Sequence, residues 1–181
     1  GVGLMALDLI RRAGGIAIGT ASAHKHEFLA ARGYEQLIDY RTEDYSAVLE
    51  NSPGFDLVLD PVGGVSWSKG MDLLRPGGRL VMFGFSAQNT GQKGRVLSKI
   101  NAVRQIPWLK FNPVHLINHN IGVMGVNMAR LWDEGDRISA WLSKLLGLWE
   151  TGVLRPVVHQ QVPFSEVQEA HRILHDRENI G

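Results

Sequence analysis

Two hydrophobic periods alternate along this chain, and that alternation limits the fold more than any single residue does. Val2, Ala6, Leu9 and Ala13 recur at helical spacing, with Met5 and Ile10 beside them and Asp8, Arg11 and Arg12 on the opposite, polar face. Gly14 and Gly15 follow, residues free to take the positive φ that ends a helix. "IAIGTAS" at 16–22 then reads as a strand, and "HKHEFLAARG" as a helix closed by Gly33. "LIDY" at 37–40 predicts a second strand, with a short helix to follow around Asp44–Glu50. "FDLVLD" at 55–60 is nearly continuous in apolar residues, the pattern of a strand buried on both faces of a parallel sheet. "VSWSKGMDLL" predicts a helix, "PGG" a turn, "RLVMFGF" at 79–85 a strand, and "IGVMGV" at 121–126 the last strand of the series. Strand and helix in this order specify an α/β fold with a doubly wound parallel sheet.

The later part of the chain breaks the rhythm. Ile138–Trp149 has the spacing of one amphipathic helix, "LRPVVHQQV" is an extended stretch followed by Pro163, and Phe164–Asp176 predicts a final helix. The 181 residues suffice for one domain with a real core, or one domain and an appendage. A net charge of +1 gives no electrostatic case for a nucleic-acid partner. The chain has no cysteine, which removes disulfides, thiol catalysis and thiolate metal ligands from these residues. That composition fits a reducing compartment, and a cytoplasmic location is the expectation.

The opening "GVGLMALDLIRRAGG" is glycine followed at once by an amphipathic helix. That order matches the second half of a phosphate-binding loop, in which glycines let the backbone approach a pyrophosphate seated on the helix N-terminus. The residue that reads the ribose should stand at the end of the next strand, about 20 residues on. Ala21 occupies that position where an NAD-binding chain would carry a carboxylate. Ser22 as a hydroxyl donor and Lys25 as a cation stand beside it, with His24 close by in the chain. This is chemistry suited to a 2′-phosphate and favours NADP(H) over NAD(H). The plainer reading of the same residues makes Ser22 a helix cap and Lys25 a solvated side chain.

With those residues in view, the chain resembles the cofactor domain of the medium-chain dehydrogenase/reductase superfamily, in its zinc-independent quinone oxidoreductase branch. Within that branch it is similar to the group of synaptic vesicle amine-transport proteins. The resemblance is carried by "GVGLMALDLIRRAGG", "GTASAHKHEFL", "IDYRTEDY", "FDLVLDPVGG", "LLRPGGRLVMFGFS" and "VPFSEVQEAHRILHDRENIG", which occur in the family's order and cover almost the whole chain. It implies a Rossmann domain over 1–150 that lacks its first strand, and a segment 151–181 returning to a second, barrel-like substrate domain. It further implies that Gly1, Val2 and Gly3 contact the pyrophosphate, and that Ser22, Lys25 and Tyr40 surround the adenosine 2′-phosphate. Val62 and Gly63 would lie along the ribose-nicotinamide side, with Phe85 and Ser86 at the end of the next strand and Met124–Val126 supporting the nicotinamide. NADP(H) would be the cofactor, a small molecule the substrate, and a homodimer the assembly. The family's reaction is hydride transfer from NADPH to a quinone or an α,β-unsaturated carbonyl. No residue of this chain is assigned a catalytic role.

Two pairs of histidines have helical i, i+4 spacing, His115 with His119 and His171 with His175. Neither pair encloses the glutamate of a metalloprotease motif, and both read as surface histidines, so no metal site is expected. Between Asp72 and Asp133 there is no acidic residue, and the part over 92–113 mixes Lys93, Arg95, Lys99, Arg104 and Lys110 with apolar side chains. Such a mixture can rest on an anionic membrane surface. Pro107 and Pro113 interrupt any continuous amphipathic face, which favours an insertion at the active-site mouth or in a dimer interface. Two further functions compete with the oxidoreductase: an S-adenosylmethionine-dependent methyltransferase, suggested by "LRPGGRLV", and a non-catalytic NADPH-binding module. The methyltransferase would want an acidic residue where Ala21 stands.

Overall fold

The structure is a computed structural model that describes residues 1–85, 108, 110–176 and 178–180. Its elements follow the expected alternation: α1 (Val2–Arg12), β1 (Ile18–Thr20), α2 (His26–Arg32), β2 (Gln36–Ile38), α3 (Tyr45–Val48), β3 (Phe55–Asp60), α4 (Val65–Asp72), β4 (Leu74–Met82), α5 (Pro113–His119), β5 (Gly122–Gly125), α6 (Gly135–Glu150) and α7 (Val167–His175). All strand pairing is parallel, in one sheet of order β1-β2 and another of order β3-β4-β5. Parallel strands need crossover connections, and helices make them here. The chain divides into two compact units, residues 1–43 with 134–181, and residues 44–133.

In the first unit, Leu4 and Leu7 of α1 and Ile38 of β2 are buried, together with Ala17, Leu154 and Ile173. Leu7 and Ile38 are fully enclosed, each stabilising the fold by about 1.5–3 kcal/mol relative to exposure. Residues 151–181 belong to this unit. Asp8 departs from the amphipathic expectation, because it is buried rather than solvent-facing. Its carboxylate accepts two bonds from Arg32 Nη2, at 3.2 and 3.3 Å, and one from the Arg155 backbone N–H at 2.8 Å. A carboxylate can leave water only with such partners, and these stand 24 and 147 residues away, beyond the reach of any local pattern. Trp141, Leu142, Leu145, Leu146 and Trp149 of α6 stay between 44% and 55% exposed, so the helix does not bury its whole apolar stripe.

In the second unit, Leu80 is fully buried on β4, with Leu49 and Met71 also in the core. β3 is only partly buried, with Leu57 44% exposed, in contrast to the two-sided burial its composition predicts. It pairs along one edge with β4 and, among the described residues, has no strand on the other. The turn expected at "PGG" lies inside β4 instead. Phe55 pairs with Leu74 and Leu57 with Arg79, so the three residues Pro76, Gly77 and Gly78 are part of an irregularity in a continuous strand. Gly77 N–H finds its acceptor in the Asn120 carbonyl at 2.7 Å. Asp44 caps α3, accepting from Ser46 N–H at 3.0 Å, and both its oxygens accept from Lys69 at 2.7 Å.

Candidate functional site

The first unit contains a cavity of about 280 Å³ at the start of α1 and the carboxyl end of β1, where ligands of open α/β sheets bind. Of the residues expected at the adenosine and pyrophosphate end, Gly1, Gly3, Ser22, Lys25 and Tyr40 all line it. Val2 does not: it is 61% exposed and lies outside the lining. The reason is that only Gly1 is outside the helix, as its N-cap, whereas Val2 and Gly3 already belong to its first turn. Consecutive residues on a helix point 100° apart, so one of the two turns away. The Leu4 and Met5 N–H groups bond to the Gly1 carbonyl, at 3.0 and 3.3 Å. The earlier first-turn N–H groups have no acceptor within the helix, the condition that makes a helix start attractive to an anion.

Ser22 does not act as a helix cap. It precedes a short 3₁₀ turn over Ala23–Lys25 and makes no side-chain cap bond there. Its hydroxyl, in a residue only 4% exposed, donates to Tyr40 Oη at 3.1 Å. Lys25 is half-buried rather than solvated, and its Nζ donates to the Asn179 carbonyl at 2.7 Å. The His26 ring holds the Ala21 carbonyl at 2.9 Å through Nε2, which steadies the turn between β1 and α2. His24 is exposed and does not line the cavity. Among the described lining residues there is no carboxylate, so the only formal side-chain charge at the cavity is that of Lys25. This donor set fits a phosphate ester and disfavours no anion.

Three participants were not evident from the sequence. Asn179 and Ile180 line the cavity from the far end of the chain, and Tyr34 lines it from the turn after α2. Only tertiary folding brings 179 to 25, and no local signal marks it.

In the second unit, Val62, Gly63 and Phe85 lie close together after β3 and β4. Asp60, buried at the end of β3, accepts from Val62 N–H at 2.6 Å and Gly63 N–H at 2.8 Å through one oxygen. That Asx-type turn points the following backbone in a fixed direction. Gly63 has φ 85°, and a Cβ there would sit 2.1 Å from the Phe85 ring. Trp67 of α4 stacks on the Phe85 ring, the two centroids 5.0 Å apart. Ser86 lies outside the described residues. Met124 and Gly125 end β5, and the Val126 N–H extends the ladder to the Met82 carbonyl at 2.8 Å.

The basic tract over 92–113 also lies largely outside the described residues. Within the described part, Lys110 is paired with both carboxylate oxygens of Asp72. His119 Nδ1 is bonded to the His115 carbonyl at 2.8 Å, and the two rings lie 4.1 Å apart. Among the described residues, no helix is long and apolar enough to cross a membrane.

Parallel strands joined by helical crossovers make this a Rossmann-like α/β fold, the class to which dehydrogenase cofactor domains belong. The chain belongs to the zinc-binding dehydrogenase family, whose pattern matches residues 32–181, and so to the medium-chain dehydrogenase/reductase superfamily. Its affinity is with the group of synaptic vesicle membrane proteins. It is 36% identical over its whole length to "Synaptic vesicle membrane protein VAT-1 homolog" of Rattus norvegicus, of which it covers 45%. Among solved structures it is similar to the human VAT-1 homolog-like protein, at 26% identity and TM-score 0.70, over 99% of this chain and 47% of that one. It is also similar to the Escherichia coli quinone oxidoreductase complexed with NADPH, at 26% identity and TM-score 0.70, covering all of this chain and 52% of that one. The chain therefore spans about half the length of the relatives it matches.

Proposed function

We propose that this chain is the cofactor-binding part of an NADPH-dependent oxidoreductase acting on a quinone or an α,β-unsaturated carbonyl. The observation that carries the reading is the cavity that joins Lys25, Ser22 and Tyr40 to the start of α1 with no lining carboxylate among the described residues. Lys25 would take the 2′-phosphate, leaving its bond to the Asn179 carbonyl or sharing the proton donors between the two. Ser22 and Tyr40 form a hydroxyl pair on the cavity wall, the Ser22 hydroxyl donating to Tyr40 Oη. Gly1 and Gly3 leave room for a pyrophosphate against the helix start. Val62, Gly63, Phe85 and Ser86 are assigned to the ribose-nicotinamide side by family resemblance, and Asp60 is the residue that fixes the backbone of the first two. When bound, the nicotinamide supplies the hydride, while the protein supplies orientation and a dry environment.

The similarity to a quinone oxidoreductase complexed with NADPH supports this reading. A non-catalytic NADPH-binding module is the second reading, favoured by the similarity to proteins named for the synaptic vesicle membrane. Fluorescence titration of the full-length protein with NADPH, NADH and S-adenosylmethionine tests the cofactor. NADPH should bind more tightly than NADH. Lys25→Glu should weaken NADPH by roughly 100-fold, about 3 kcal/mol, and NADH by no more than about threefold. Binding of S-adenosylmethionine in place of either dinucleotide would overturn the reading. NADPH oxidation on addition of quinones or enones then separates the enzyme from the module.

A further inference from the structure

We propose that Tyr34 is a positioning residue of the dinucleotide cavity, latching the first turn of α1 so that its backbone N–H groups face the pyrophosphate. The inference rests on the dinucleotide reading above and adds a residue that none of the sequence motifs singles out. Its basis is a chain of contacts running from the β1-β2 sheet to the N-cap glycine.

Tyr34 is delivered to this place by its backbone. Gly33 ends α2 in the left-handed region, with φ 109°, and turns the chain back toward the sheet. Two residues after Gly33, Glu35 N–H bonds to the Ala17 carbonyl at 2.9 Å, immediately before β2 begins at Gln36. Tyr34 is thus anchored on both sides. Its ring lies across Gly19, the central residue of β1, where a Cβ would come within 2.8 Å of Cε1. Any side chain at 19 would push the ring away. Across that glycine the Tyr34 hydroxyl reaches α1 and donates to the Gly3 carbonyl at 3.1 Å.

The accepting carbonyl belongs to the Gly3–Leu4 peptide, whose N–H bonds to the Gly1 carbonyl at 3.0 Å. The phenol therefore sets the plane of a peptide that in turn sets the N-cap residue. Hydrogen bonds in series polarise one another, and an anion site gains most when its donors are held before the ligand arrives. Tyr34 is half-buried and lines the same cavity as Gly1, Gly3 and Lys25. Burial, with the Asp8 charge adding to it, raises the phenol above its ordinary pKa, so the group remains a donor throughout the neutral range.

The latch acts on the pyrophosphate end and Lys25 on the 2′-phosphate, which makes the two separable by ligand. Adenosine 2′-monophosphate carries the ester but no pyrophosphate. Tyr34→Phe keeps the ring over Gly19 and removes only the hydroxyl. In the full-length protein it should weaken NADPH and NADH equally, by about fivefold, and leave adenosine 2′-monophosphate within about twofold of the parent. Gly19→Ala should show the same pattern, and combining it with Tyr34→Phe should add little, because both break one contact. Parent-like NADPH binding by Tyr34→Phe overturns the latch, as does an equal loss of adenosine 2′-monophosphate, which would mark a general structural role. If the latch fails while Lys25→Glu still separates NADPH from NADH, the dinucleotide reading stands alone. If the parent protein binds neither dinucleotide, both ideas fall together.

Discussion

The two units present surfaces of different construction. In the first, the cavity draws its character from side chains: an ammonium at Lys25, hydroxyls at Ser22 and Tyr40, and a phenol at Tyr34. In the second, the turn after β3 is defined by backbone, with Asp60 spanning two N–H groups and Gly63 admitting the Phe85 ring where any side chain would collide. Substitution in the first unit should therefore change which ligand binds. In the second it should change whether the local structure holds at all. A charged or hydroxyl group can be removed from a cavity wall at modest cost to folding, whereas a positive-φ glycine under an aromatic ring has no equivalent.

Substitution of Gly63 by Ala is the severest test of that contrast. It asks the new residue to take φ 85° and displaces the Phe85 ring, and should cost about 2–3 kcal/mol of stability. Urea unfolding of the full-length protein reads this directly. Repeating it with Phe85→Ala should recover part of the loss, since the collision is then gone and only the backbone strain remains. If the cost is the same in both backgrounds, the ring is not what makes glycine necessary. A smaller effect is expected from Ser22→Ala. It removes the hydroxyl bond to Tyr40 at a buried site and should lower NADPH affinity roughly fivefold, with about 1 kcal/mol or less lost from folding. A larger loss of stability than of affinity would mean that the first unit, too, is built on structure before ligand.

The smallest effect concerns acid. The Lys69 ammonium, joined by the hydroxyl and N–H of Ser46, holds the exposed Asp44 carboxyl well below its ordinary pKa, to about 2. A carboxyl whose pKa is lower folded than unfolded stabilises the fold above its unfolded value, near 4, and that contribution is lost as pH falls through the folded value. Asp44→Asn should thus lower stability slightly at neutral pH and show a flatter stability profile than the parent between about pH 4 and 2. Because the pair is exposed, high salt should shrink the difference. Curves that stay parallel throughout would show that Lys69 contributes nothing to the second unit.

Local pattern was enough to mark α1, α2, β3, α4, β5 and α6, because their hydrophobic periods are written within a few residues. It also marked two of the cavity-lining residues, since Ser22 and Lys25 follow directly on a strand. It misplaced Asp8, read "PGG" as a turn outside the strand, and did not show that the exposed Val2 side chain stays out of the cavity lining. Each of those depends on distant partners or on the exact start of a helix. A charged residue is assigned to solvent unless something shows that Arg32 and Arg155 come to meet it.

By itself, then, the sequence determined the alternation of elements, the absence of a carboxylate at Ala21 and the cation four residues on at Lys25, all of which are local properties. Only the tertiary structure decided that Tyr34 crosses Gly19 to hold Gly3, that Asn179 meets Lys25, and that Asp8 is buried. Those contacts join residues 31, 154 and up to 147 positions apart, and they form because parallel strands with helical crossovers bring distant chain segments to one end of a sheet.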